Sequence, residues 1–202
     1  MLLWITLTRD SLNTVVNMKK ILSIIALGLI ITVKAMAYEE ANYETIKTNK
    51  VYEIRQYSDR LAIETSNSNQ NSGFKKLFNY ISGKNETNEK IKMTTPVTQI
   101  KKKGSMTMQF YLPSKFNKDN IPTPSNLEVE IINIKGGYYA VIRYSGRASD
   151  KNFIKHKDIL ENKLTKDNIT IISPAIRATY NSPFTLPMLR RNEVMFEINM
   201  KT

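Results

Sequence analysis

The tightest constraint on the fold of this chain is a two-residue rhythm. Met106, Met108, Phe110 and Leu112 alternate with Ser105, Thr107, Gln109 and Tyr111, and Leu127, Val129 and Ile131 alternate with Glu128 and Glu130. Val194, Phe196 and Ile198 alternate with Glu193 and Glu197, with Met195 blurring the outer face. Successive side chains of a strand point to opposite faces, so each run predicts a strand with one apolar face. Gly136-Gly137 predicts a hairpin turn, because both residues tolerate positive φ. Lys101-Lys102-Lys103-Gly104 predicts a solvated turn before the strand at 105–112. Met93-Thr94-Thr95-Pro96-Val97 predicts an edge strand or bulge, since proline brings no N–H to a ladder.

Only two segments carry helical spacing. Phe74, Leu77, Phe78 and Ile81 fall at i, i+3, i+4 and i+7, with Asn71 or Ser72 as cap and Gly83 as stop. An amphipathic helix must bury one stripe, so most of these four are expected on the sheet, with one edge residue left for a groove. The second helix is expected from Ser149 or Asp150 to about Leu164, with Phe153, Leu160 and Leu164 on one stripe. The chain also repeats itself. Ile46-Lys47 followed by Ile54-Arg55-Gln56-Tyr57-Ser58-Asp59-Arg60 answers Ile134-Lys135 followed by Ile142-Arg143-Tyr144-Ser145-Gly146-Arg147. Two ββαββ pseudo-repeats facing each other about a pseudo-twofold axis are the expectation. The predicted class is α+β, an eight-stranded antiparallel distorted β-barrel with two flanking helices.

The N-terminal stretch has the grammar of an export signal. Lys19-Lys20 supplies a basic region, Ile21 to Val33 an apolar one, and Ala35-Met36-Ala37 a small-x-small cleavage site. Met18 is the expected start and Ala37 the expected last residue of the leader, leaving a single domain over 38–202. The apolar run is about 13 residues against the ~20 a bilayer span needs, so no integral span is expected after cleavage. The expected location is the periplasm or the medium. With no cysteine in the chain, neither a lipid anchor on the mature end nor a disulfide is available, and packing alone must stabilise the fold. Residues 38–202 carry 26 cationic and 17 anionic side chains, net +9. Export argues against nucleic acid as the partner of that charge, and a Lys-, Asn- and Ile-rich composition accounts for most of it.

Usual zinc and iron–sulfur ligand sets are excluded by one histidine, His156, and no cysteine. No nucleophile-elbow string and no glycine-rich phosphate loop occurs, and carboxylates are sparse, so no enzyme is expected. What remains is a binding site. Ser182 to Leu189 is an apolar loop punctuated by Pro183 and Pro187, and Arg190-Arg191-Asn192-Glu193-Val194 follows it. An arginine pair, an amide and a carboxylate at this junction form a charge-assisted network that would pin the loop on the sheet. A pinned apolar loop rimmed by cations suits a flat, apolar, anionic ligand.

Several strings, in one order, resemble the SOUL/heme-binding protein family. They are Val51 to Tyr57, Gly73-Phe74 through Asn85, Lys90 to Val97, Met108 to Pro113, and Ser182 to Val194, together spanning residues 43–199. The resemblance implies the same barrel with two helices, and a heme or tetrapyrrole groove between the first helix and the loop before Arg190. Carried over, the helix offers Phe74, Leu77, Phe78 and Ile81, with Lys76 at a basic position of the family. The loop offers Tyr180, Pro183, Phe184, Leu186, Pro187 and Met188, and Lys76 and Arg190 would pair with propionates. One branch of the family is associated with an axial histidine near the first helix, where this chain has none. His156 is expected on the surface of the second helix, so heme is expected to bind weakly, without a specific axial protein ligand. The implied role is an exported, monomeric, non-enzymatic heme carrier, buffer or scavenger, with its protein partner undefined. A second reading keeps the fold as a protein-interaction or envelope-structural module without heme. It would hold if side chains such as Phe184 or Met188 filled the groove.

Overall fold

The alternating runs form strands, and the sheet they build curls around an apolar interior, with two helices on parts of its outer face. The computed structural model describes residues 38–67, 70–102 and 104–200; the expected leader, 1–37, lies outside them. Along the chain come β1 (Glu39–Glu40), β2 (Tyr43–Thr48), β3 (Glu53–Tyr57), β4 (Arg60–Asn67), α1 (Gln70–Ile81), β5 (Thr94–Thr95), β6 (Val97–Lys102) and β7 (Ser105–Tyr111). They are followed by β8 (Glu130–Ile134), β9 (Gly137–Tyr144), α2 (Asp150–Lys166), β10 (Thr170–Ile171), β11 (Ile176–Thr179), a 3₁₀ turn (Pro187–Leu189) and β12 (Asn192–Asn199).

The main sheet runs β2-β3-β9-β12-β11-β6-β7-β4-β8, with β10 beside β12. Exchanging β3, β4, α1, β6 and β7 for β8, β9, α2, β11 and β12 leaves every pairing among them intact. The predicted pair of ββαββ halves is therefore real, and eight strands belong to it. Two details differ from expectation. Among the described residues pairing does not return from β8 to β2, so the barrel is curled but open along its hydrogen bonds. The matching strings at Ile54 and Ile142 also do not mark equivalent strands. They sit on β3 and β9, which lie side by side in the sheet with Ile54 opposite Ala140.

Gly136-Gly137 is not a hairpin turn, for the same topological reason. β8 pairs with β4, and β9 pairs with β3 and β12, so the chain leaves one end of the sheet and joins the other. Neither glycine has positive φ. Gly136 is needed for close approach, because a Cβ there would lie 2.6 Å from the Tyr57 carbonyl oxygen. The turn before β7 is shorter than expected: Lys101 and Lys102 still belong to β6, opposite Met106 and Ser105, and Gly104 takes φ +84°, while Lys103 lies outside the described residues. Pro96, after a cis Thr95–Pro96 bond, precedes the first residue of β6, and β6 is central rather than an edge. Position before the ladder is what lets proline be there.

Each helix packs on its own half, α1 on β4 and β7 and α2 on β9 and β12. Leu77, Tyr80 and Ile81 of α1 join Ile63, Met108 and Phe110 in one cluster, and Leu160 and Leu164 of α2 join Ile142, Val194 and Phe196 in a second. Ser149 caps α2, its side chain accepting from the Asn152 N–H, and Gly83 at φ +104° ends the turn after α1. Burying each leucine contributes about 1.5–3 kcal/mol. A third cluster, with Tyr57, Tyr139, Val141, Ile176 and Met195, fills the inner face of the curl. This corrects the expected polar exterior of β12: Glu193 and Met195 face the interior and are buried. Leu127 also departs from expectation. The strand begins only at Glu130, and Leu127 stands 96% exposed in the preceding turn. Residues 38–202 form one compact unit, and the three clusters lie among its described residues.

Candidate functional groove

Two helices on opposite halves leave the middle of the sheet bare. β6 and β11 meet there in antiparallel register, Val97 opposite Thr179 and Gln99 opposite Arg177. Those four residues floor a groove of about 560 Å³, within the ordinary range for small-ligand sites. Phe74 and Phe78 of α1, with Met93 and Met108, form one wall; Tyr180, Pro183 and Arg190 form the other. The Phe74 and Phe78 rings are nearly parallel, with centroids 5.9 Å apart and planes 13° apart, and Phe74 is braced edge-on by Phe110. Both are about half exposed, so they present aromatic surface instead of spending it in the core.

Five of the sequence-derived residues meet at this groove: Phe74, Phe78, Tyr180, Pro183 and Arg190. The others go elsewhere for identifiable reasons. Leu77 and Ile81 occupy the inner side of the helical stripe and are buried on the sheet. Lys76 projects from another side of α1 and pairs with Glu128. Phe184, Leu186 and Met188 point away from the groove into solvent. His156 is half buried on α2, its ring stacked on Tyr144 with centroids 4.0 Å apart and Nδ1 2.8 Å from the Asn152 carbonyl oxygen. It does not line the groove.

The Arg190–Glu193 string does pin the loop, with each side chain in a different task. Arg190 donates through Nε to the Thr185 carbonyl, 2.7 Å, and through Nη2 to that of Pro183. These partners are neutral, so its charge remains available at the groove. Arg191 lies 3.7 Å over the Tyr180 ring and pairs with Glu40 and Glu193. Asn192 donates to the Gly146 carbonyl. Glu193, fully buried, accepts from Arg55 at 3.0 and 3.3 Å and from the Tyr180 hydroxyl at 2.6 Å. Burial raises the Tyr180 phenol far above its ordinary value, and the neighbouring carboxylate adds to this. Burial pulls the Arg55 guanidinium down, but the charge and hydrogen bonds of Glu193 more than reverse that. Tyr180 is thus fixed from behind while its ring faces the groove.

Arg177 is the groove residue that sequence reasoning missed. Its guanidinium sits 4.4 Å over the Phe153 ring and 2.6 Å from Asp150. A lone cation within the apolar run Ile176–Ala178 was the available signal, but only the β6–β11 pairing shows which side it faces. Met93 and Met108 likewise read in the sequence only as strand residues.

Comparison with known proteins agrees with this architecture. Residues 38–197 match the SOUL heme-binding protein family. The chain is 33% identical over 157 residues to heme-binding protein 2 of Mus musculus, covering 71% of this chain and 76% of that protein, and 34% identical to the Homo sapiens protein over the same length. Among solved structures, the EcmrR C-terminal domain superposes with a TM-score of 0.55 at 9% identity, covering 78% of this chain and 98% of that one. A hydrolase from Listeria innocua superposes at 0.54 and 9%, covering 76% and 94%. At such identities these two establish the fold alone.

Proposed function

This chain belongs to the SOUL heme-binding protein family, and on that premise we propose that its groove binds heme or a related tetrapyrrole without catalysing a reaction. The observation that carries this reading is the open floor at the pseudo-twofold axis, flanked by two parallel, half-exposed phenyl rings and by Arg190. A planar macrocycle can cover Phe74 and Phe78 and bury further apolar surface on Val97, Met93 and Pro183. Arg190, whose own partners are neutral carbonyls, is placed to donate charge-assisted hydrogen bonds to its carboxylates, while Arg177 lines the floor with its guanidinium paired to Asp150. Bound heme would supply an iron porphyrin as cargo, and the chain's own residues would hold and orient it. With the single histidine on α2, no imidazole is on hand in the groove; the thioethers of Met93 and Met108 are the soft donors that line it. That donor set favours weak, tolerant tetrapyrrole binding, as suits a carrier, buffer or scavenger. Phe184 and Met188 leave the groove unfilled, which weighs against the ligand-free module.

We further propose that the protein acts as a monomer outside the cytoplasm after cleavage following Ala37. The intact mass of the exported product tests this, since a chain beginning at Tyr38 is required. Hemin titration of residues 38–202, followed at the Soret band, tests the groove. A saturable shift is expected, weakened about tenfold by Phe74→Ala or Phe78→Ala through lost apolar contact. Lys76→Ala should leave it unchanged, because Lys76 is turned toward Glu128. Absence of saturable binding would overturn the proposal.

A further inference from the structure

We propose that the loop tip Phe184–Leu189, with the cations beside it, docks the protein on an anionic phospholipid bilayer. Phe184, Leu186, Met188 and Leu189 are 94, 59, 73 and 68% exposed. None belongs to the three core clusters and none lines the groove. Four large apolar side chains within six residues exceed what a connector between β11 and β12 requires, and an exposed apolar cluster marks an interaction surface.

The exposure is built in. Arg190 holds the carbonyls of Pro183 and Thr185, the Thr185 N–H donates to Ser182, and the Leu189 N–H donates to Leu186. The Pro187 carbonyl accepts from both Gly146 and Arg190. Backbone bonds are therefore made on the protein side while the side chains face outward.

The Gly146–Pro187 bond also brings a basic cluster alongside. Arg147 follows Gly146 directly, and Arg147, Lys151 and Lys155 line one shallow depression with Ser149 and Asn152. These three cations are exposed and form no ion pair among the described residues, whereas Lys157 and Lys163 on the same helix do. An apolar tip flanked by unpaired cations complements an anionic interface: the Phe184 ring, the two leucines and the Met188 thioether enter the acyl boundary, and the cations meet headgroups. A second copy is the weaker occupant. Its recess for such a tip, the groove, carries Arg177 and Arg190 of the same sign, and the contact would be head-to-tail and non-closing.

Residues 38–202 contain no tryptophan, the chain's only one being Trp4, so Phe184→Trp places a single reporter at the tip. Adding mixed phosphatidylcholine–phosphatidylglycerol vesicles should shift its emission to the blue and carry the protein with the vesicles on flotation. Pure phosphatidylcholine should do neither. Lys151→Glu with Lys155→Glu, and separately Leu186→Ser with Met188→Ser, should each weaken partitioning at least about tenfold. All four positions are exposed, and circular dichroism confirms that the variants remain folded. Unchanged emission with anionic vesicles, equal binding to both vesicle types, or indifference to both double variants overturns the proposal. Vesicle-independent association that depends on protein concentration and is lost with Leu186→Ser/Met188→Ser assigns the tip to a second copy and also overturns it.

Discussion

Glu193 gathers side chains from four parts of the chain: Arg55 on β3, Tyr180 after β11, Arg191 beside it and, through Arg191, Glu40 on β1. A buried carboxylate survives only with such company, and removing it strands a buried cation. Glu193→Gln should therefore cost about 3–5 kcal/mol, read as a lower midpoint in urea unfolding. Arg55→Met combined with Glu193→Leu should recover part of the loss, because no buried charge is then left unpaired. The sequence showed that Arg190 to Glu193 form a charge-assisted network at a loop junction. It could not show that the main partner of the carboxylate stands 138 residues earlier. The same holds for Lys76 and Arg177. One is turned out of the groove by the rotation of α1, the other turned in by the register of β11.

Among the elements, the connections β3–β4 and β8–β9 cross where the two halves exchange strands. Asp59 ties the crossing, accepting from the Gly136 N–H at 2.8 Å, the Asn133 amide at 3.0 Å and Lys135 at 3.1 Å. These bonds, the backbone one foremost, pull its carboxyl from 3.8 down to about 2. A depressed carboxyl contributes stability that is present above its unfolded value and is lost as pH falls through the folded one. The urea midpoint should thus fall between about pH 4 and pH 2 in the wild type. Asp59→Asn should lower the midpoint at neutral pH and converge on the wild type by pH 2. A constant gap between the two at every pH would contradict this role. Of the elements, α2 with its Ser149 cap and the strands at β7 and β12 were legible from local pattern. The β8–β9 connection was misread as a hairpin because a short glycine link looks the same whether its strands pair or part.

For the whole molecule, each core cluster contains a buried tyrosine whose phenol burial has pushed up to about 12: Tyr52 and Tyr144 under α2, Tyr80 on the buried side of α1, Tyr57 and Tyr139 on the inner face. A phenol ionising later in the folded state than the ordinary value near 10 contributes stability that is intact below that value and is lost as pH rises toward 12. With one such group or more in every cluster, alkaline unfolding should be global. Tyrosinate absorbance and far-ultraviolet circular dichroism should then move in one shared transition above pH 10, and two separated transitions would argue otherwise. By itself the sequence determined the kind of most elements, the pinned loop and the family, because these rest on local periodicity and on ordered strings of neighbours; the doubled ββαββ plan rests on strand pairing, since its matching strings fall on adjacent rather than equivalent strands. Only the tertiary structure decided which residues share the groove, since that depends on helix rotation and strand register across the pseudo-twofold axis. The curl of the sheet gave its polar-looking face an interior, burying Glu193. It also sent Phe184 and Met188 outward, because the backbone bonds of the loop, made against Arg190 and Gly146, leave those side chains no wall to pack on.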